Sequence, residues 1–166
     1  MKDKKSLIIY FSRADENYFG GEMKYINKGN TEYIAEYVRD LTNADMFKVE
    51  PLVPYSKEYE ICIKEAKDRV GNAPIKNNLS DISNYEVIYI MSPIYWGTYA
   101  PEVETAIKDL DFTGKTVRVV TTHEGSGLGN IINDLKRICV GANILDSIAI
   151  VGSQAKDSKS KIESWV

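Results

Sequence analysis

Three short stretches of this chain carry residues suited to holding one flat, phosphorylated ligand. They are Ser12-Arg13 together with Gly29-Asn30-Thr31, then Ser92-Pro93-Ile94-Tyr95-Trp96-Gly97, and finally His123-Glu124-Gly125-Ser126-Gly127. A phosphate is best held by backbone N–H groups at a helix start, by short hydroxyl side chains, and by a residue small enough to allow close approach. Ser12, Asn30 and Thr31, with Gly29 for room, meet that description. Tyr95 and Trp96 offer aromatic faces to a planar ring, and an offset stack contributes about 0.5–1.5 kcal/mol beyond the area it buries. Gly97 lacks a Cβ, so it can take a positive φ and turn its carbonyl toward a ring nitrogen. The run from His123 to Gly127 supplies backbone donors and acceptors for ring carbonyls, with its backbone a better candidate than the His123 imidazole.

Each stretch also has a plain structural reading. Asn30 can simply cap a helix, loop aromatics after a proline often pack on the adjacent helix, and a glycine-rich run can be a flexible turn. It is the three together that point to FMN. No Gly-x-x-x-x-Gly-Lys-Ser/Thr run is present, and the first loop has no Gly-x-Gly-x-x-Gly, so triphosphate and dinucleotide sites are not supported.

The elements that must position these groups are legible in the apolar pattern. Unbroken, β-branched-rich runs at Leu7–Phe11, Val87–Met91, Val117–Val120 and Ile148–Val151 fit strands covered on both faces, hence a parallel sheet. Asp45–Val49 alternates and reads as an edge strand. Between them, helical spacing runs through Ile34, Ala35, Val38 and Leu41; Tyr59, Cys62, Ile63, Ala66 and Val70; Val103, Ile107 and Leu110; and Leu128, Ile131, Ile132, Leu135 and Ile138. Asn30 and Ser56 are placed to cap the first two helices, Pro101 suits a first helical turn, and Lys159–Val166 allows a last short helix. Five β-α units with right-handed crossovers give an α/β, doubly wound, five-stranded parallel sheet of order 2-1-3-4-5 with helices on both faces. Ligands bind such sheets beyond the carboxyl ends of strands 1, 3 and 4, which feed the three stretches above. Residues 13–28 interrupt this rhythm: apolar residues flank Gly20-Gly21, the pattern of a small hairpin inserted in the first connection and folded over that edge of the ligand.

Composition narrows the function classes. A chain of 166 residues, 43% hydrophobic and 27% charged, fits one globular domain. Its 21 Lys and Arg are outnumbered by 24 Asp and Glu, which argues against nucleic acid. Cys62, Cys139 and the sole histidine, His123, have no metal-ligand spacing. The apolar run near the N-terminus is too short for a signal peptide or a membrane span, so no membrane partner is expected and the cytoplasm is the expected compartment.

Tyr10-Phe11-Ser12-Arg13, Gly29-Asn30-Thr31, Ser92–Gly97 and Thr122–Gly129 resemble, in order and over nearly the whole chain, the motifs of flavodoxin-like FMN proteins, in particular a bacterial branch of them. The resemblance implies that Ser12, Asn30 and Thr31 hold the phosphate, with Arg13 beside them, that Ser92 and Pro93 to Gly97 border the ring on one side, and that His123, Glu124, Gly125, Ser126 and Gly127 border it on the other. The chain differs from ordinary flavodoxins in its insert, which splits the phosphate loop, and in its mild net charge of −3. The fifth predicted strand shows no insertion, as in short-chain members. The expected function is electron carriage by bound FMN toward a redox partner protein or a small-molecule acceptor. The alternative is an FMN-dependent NAD(P)H:quinone or nitro-compound oxidoreductase. Oligomeric state is left open.

Overall fold

The computed structural model describes residues 4–166. Its central sheet begins with β1 (Ser6–Tyr10) and continues through β4 (Asp45–Lys48), β5 (Val87–Tyr95), β7 (Thr116–His123), β8 (Asn143–Ile144) and β9 (Ile148–Val151), in the order β4-β1-β5-β7 with β8 and β9 sharing the far edge. These strands are parallel throughout, which is the 2-1-3-4-5 order expected of five β-α units. The last position is the exception in detail: β8 pairs with the start of β7 and β9 with its end, leaving Leu145, Asp146 and Ser147 between them. β6 (Thr98–Tyr99) is a short antiparallel return on β5, and β2 (Asp15–Phe19) and β3 (Glu22–Ile26) form a separate hairpin.

The unbroken apolar strands follow from two cores. Alternate side chains of a strand leave opposite faces, so Leu7, Ile9 and Phe11 enter one cluster with Ile88, Ile90, Val117 and Val119, while Ile8 and Tyr10 enter the other with Val87, Tyr89, Met91 and Val120. The first cluster is closed by α3 (Pro101–Ile107) through Val103 and Ile107 and by α4 (Ile131–Ile138) through Ile131 and Leu135. The second is closed by α1 (Asn30–Thr42) through Ile34, Ala35 and Val38 and by α5 (Lys159–Trp165) through Ile162. Each fully buried Ile or Val contributes about 1.5–3 kcal/mol relative to exposure.

Two caps differ from expectation. Asn30 is the first residue of α1 rather than its cap; Gly29 takes the cap position, and Ser12, across the hairpin, accepts the Glu32 N–H at 3.1 Å. The second helix, α2 (Tyr59–Asp68), is not started by Ser56, whose hydroxyl takes the Glu58 N–H at 3.1 Å. Its first N–H, from Tyr59, goes instead to the Glu16 carboxylate at 2.9 Å. A side chain of the hairpin thus caps a helix 43 residues further on, where no local spacing could reveal it. Pro101 sits in the first turn of α3 as expected.

Candidate functional site

A cleft of about 630 Å³ opens beyond the carboxyl ends of β1, β5 and β7, where the chain turns from one side of β1 to the other and ligands enter such sheets. At its base is the start of α1. The N–H groups of Asn30 and Thr31 belong to the first turn, which has no intrahelical partners for them. The Asn30 side chain lines the cleft beside Gly152, where a Cβ would lie 2.6 Å from Asn30 Nδ2 and 2.9 Å from Glu124 Oε1. Gly29 is equally confined, since a Cβ there would overlap Ser12 Oγ and sit 2.8 Å from the Arg13 nitrogen. Ser12 and Thr31, expected to offer hydroxyls, use them internally. Ser12 holds the Glu32 N–H, and the buried Thr31 Oγ1 shares a 2.8 Å hydrogen bond with Thr122 Oγ1 on β7. Neither side chain lines the cleft.

The β5 side is built from a tight hairpin. Trp96 and Gly97 both have positive φ, 54° and 84°, between the paired residues Tyr95 and Thr98, the geometry of a two-residue turn that twists with its strands. A tryptophan in this region costs about 1–2 kcal/mol. It is held there by its indole N–H, which donates to the Ile63 carbonyl at 2.7 Å, and by Lys67, whose ammonium lies 5.0 Å from the ring centre. Trp96 remains 55% exposed at the mouth. Tyr95 is deeper, edge-on to Phe11 (5.6 Å) and to Tyr55 (6.1 Å). Pro93, Ile94, Tyr95, Trp96 and Gly97 all line the cleft, but Ser92 does not. The Ser92 hydroxyl is buried, accepting the Ala100 N–H at 2.9 Å and donating to the Pro93 carbonyl at 2.7 Å, so it shapes the loop instead of facing a ligand. The Gly97 carbonyl is also engaged, accepting the Asn130 N–H at 2.7 Å. A carbonyl accepts two hydrogen bonds, so this contact and the expected turn toward a ring nitrogen are compatible.

Opposite lies the loop after β7. His123, Glu124 and Ser126 line the cleft, whereas Gly125 and Gly127 do not. The reason is local: His123 Nδ1 accepts the Gly125 N–H at 2.9 Å, and the Gly127 carbonyl accepts the Thr121 hydroxyl at 2.8 Å, so the two glycines shape the turn. The His123 imidazole thus accepts a backbone N–H within its own loop.

The remaining wall comes from the insert and α2. Gly20 and Gly21, with φ of 67° and 87°, close the hairpin between paired Phe19 and Glu22. Asn17, Tyr18 and Gly21 face the cleft with Tyr59, Cys62 and Ile63, and Tyr18 meets Tyr59 edge-on at 4.9 Å. Arg13 ties hairpin to helix by donating to the Glu16 carbonyl at 2.6 Å and to the Ser56 carbonyl at 2.7 Å. Tyr59, Cys62 and Ile63 follow amphipathic helical spacing, and nothing in that spacing separates a face toward a cleft from a face toward a core. Gly152 gave no signal of its own, and Thr122 only as the first residue of the Thr122–Gly129 motif. Burial raises the Tyr95 phenol well above its ordinary value and raises the Tyr59 phenol and Cys62 thiol too, with the Arg13 charge opposing each. These groups therefore stay protonated at neutral pH, and Cys62 is not a thiolate nucleophile. Below them, the fully buried Glu102 carboxylate accepts the Tyr55 hydroxyl at 2.8 Å and pairs with Arg69 at 3.3 Å, fixing the loop that backs Tyr95.

No curated protein matches the chain in sequence. Among solved structures, it is similar over 98% of its length to 96% of a Bacteroides eggerthii protein assigned as a flavoprotein, at 22% identity and a TM-score of 0.75. It is also similar to a Lactobacillus acidophilus flavoprotein in complex with FMN (21% identity, 95% of this chain and 99% of that one, TM-score 0.61). A Fusobacterium nucleatum flavodoxin bound to flavin mononucleotide follows at 15% identity, 97% and 94% coverage, and a TM-score of 0.52. At these identities the likeness speaks for the fold. The sequence model of the flavodoxin family matches residues 23–166, and with that match the chain belongs to the flavodoxin family.

Proposed function

We propose that this chain binds one FMN in the cleft and carries electrons with it. The observation that carries the reading is the convergence, in one cleft at the topological switch of the sheet, of a helix start, an aromatic turn and a glycine-shaped loop. The cleft volume of about 630 Å³ lies within the range of sites that enclose small molecules. The residues fit the cofactor: the start of α1 offers first-turn N–H groups, and the Asn30 amide lines the cleft there, packed against Gly152 where a Cβ would clash with it, which is the donor set a phosphate at a helix start requires. The Asn30 and Thr31 N–H groups and the Asn30 amide would hold the phosphate, Trp96 and Tyr95 would border the ring on one side, and His123, Glu124 and Ser126 on the other. When bound, FMN supplies the redox chemistry, and the chain supplies orientation, electrostatics and shelter from water.

The second reading, an FMN-dependent oxidoreductase acting on quinones or nitro compounds with NAD(P)H, is favoured by one feature. The hairpin adds Asn17, Tyr18 and Gly21 to the wall of the cleft, apolar and polar groups beside the cofactor position against which a small substrate could rest. Purified protein should bind one FMN per chain, seen as a blue-region absorption that bleaches on reduction; absence of uptake would sink both readings. Steady-state oxidation of NAD(P)H in the presence of a quinone separates them, since a carrier turns over only when a reductase is added.

A further inference from the structure

Arg13 is the permanent cation among the residues lining the cleft, and its charge is not spent on a carboxylate. Its terminal nitrogens donate to two backbone carbonyls, those of Glu16 and Ser56. Among the described residues no Asp or Glu oxygen lies within 4.0 Å of its guanidinium. Its Nε is buried without a partner. Carbonyl dipoles fix the group in place and leave its full positive charge in a partly desolvated wall, where charges act more strongly than in water. The direction of the side chain decides what it acts on. The Arg13 backbone lies against Gly29 at the start of α1, but the guanidinium leaves that end for Ser56, on the approach to α2. There its charge acts on Tyr59, Cys62 and Tyr95, opposed by the carboxylates of Glu60, Glu65 and Glu102, on the side of the cleft formed by the aromatic turn. The carboxylate among the lining groups, Glu124, belongs to the opposite loop and sits beside Gly152 and Asn30.

Building on the FMN reading, we propose that Arg13 sets the charge preference of the cleft, favouring the reduced, anionic ring over the neutral oxidised ring. In the step concerned, a hydride donor of the nicotinamide class gives two electrons and one proton to the oxidised ring. The donor is oxidised, the ring gains one negative charge, and Arg13 keeps all its protons. This polarity is opposite to that of a strongly acidic carrier, and it suits a site that accepts hydride.

The test uses full-length protein reconstituted with FMN, with Arg13→Gln and Arg13→Lys beside the wild type. Reduced FMN should lose about tenfold in affinity relative to oxidised FMN in Arg13→Gln, which lowers the two-electron midpoint potential by about 30 mV. Arg13→Lys, which keeps the charge, should stay near the wild type. A measurement on the wild type alone guards against a variant that misfolds: reduced FMN bound to the protein should keep its negative charge to lower pH than free reduced FMN, read in the ultraviolet spectrum. The proposal is overturned by an unchanged potential in Arg13→Gln, by an equal shift in Arg13→Lys, or by a bound reduced cofactor that protonates as it does in water. Loss of FMN affinity in Arg13→Gln with riboflavin affinity intact would overturn it too, since Arg13 would then be a phosphate ligand. Failure of the wild type to bind either flavin overturns the FMN reading itself, a result distinct from all of these.

Discussion

Asn30 and Trp96 carry the most specific expectations, because each lines the cleft and neither is part of the core. In Asn30→Leu the amide that faces the phosphate position is gone, and a hydrogen bond to a charged group contributes about 1.5–3 kcal/mol. FMN affinity measured by titration should fall about 10- to 150-fold while riboflavin affinity holds; equal losses for both flavins would mean that the phosphate lies elsewhere. The two aromatics divide differently. Trp96 is exposed and anchored through its indole N–H and Lys67, so Trp96→Ala should weaken FMN binding and brighten its fluorescence with little change in thermal stability. Tyr95 belongs to an edge-to-face trio with Phe11 and Tyr55. Tyr95 is half-buried, so its replacement by Ala should cost stability by less than the ~3–5 kcal/mol of a fully buried aromatic. A Tyr95→Ala protein as stable as wild type would show the trio to be ornamental to the core.

Two loops that meet over the cleft illustrate how elements depend on one another. Gly129 has a φ of 53°, and a Cβ on it would run into the Gly97 carbonyl, whose partner is the Asn130 N–H. Gly129→Ala therefore carries the left-handed penalty of about 1–2 kcal/mol and also pushes the turn after β5 away from the start of α4. The expected outcome is a melting point lowered by about 2–8 °C together with weaker flavin binding; a drop in stability with unchanged flavin affinity would show that the spacing of these loops does not matter to the site. Elements of this kind were well marked in sequence where burial is two-sided: the runs at Leu7, Val87 and Val117 have no other good reading. The hairpin was legible from Gly20-Gly21. What escaped were long-range polar arrangements. Glu16 capping α2, Ser12 capping α1 and Thr31 paired with Thr122 each join residues 20 to 91 positions apart, and hydrogen bonds leave no periodicity. A hydroxyl at a strand end or a helix start looks the same in sequence whether it faces a phosphate or a neighbouring protein group, as Ser12, Thr31 and Ser92 do here.

At the scale of the whole molecule, the buried phenols set an alkaline limit. Burial, then the nearby Glu32 carboxylate, raises Tyr10 from 10.0 to about 12, and Tyr55, Tyr95 and Tyr99 are raised as well. Each is favoured neutral in the folded state, so its contribution is complete below pH 10 and is lost as pH rises toward the folded value. Denaturant midpoints should hold to about pH 10 and fall steeply between 10 and 12, and Tyr10→Phe should make that fall shallower. A midpoint that declines equally in both proteins would remove Tyr10 from the account. The insert has a further consequence, in the order of assembly. Ser12 and Gly29, which together shape the base of the cleft, are separated in sequence by the whole hairpin and touch only because it folds back on itself. A hairpin closes in about 1–10 μs, whereas pairing of distant parallel strands is slow because long loops must close first. The segment that looks like an interruption is thus a local clasp: it brings the two halves of the cradle together while the sheet that will carry them is still being assembled.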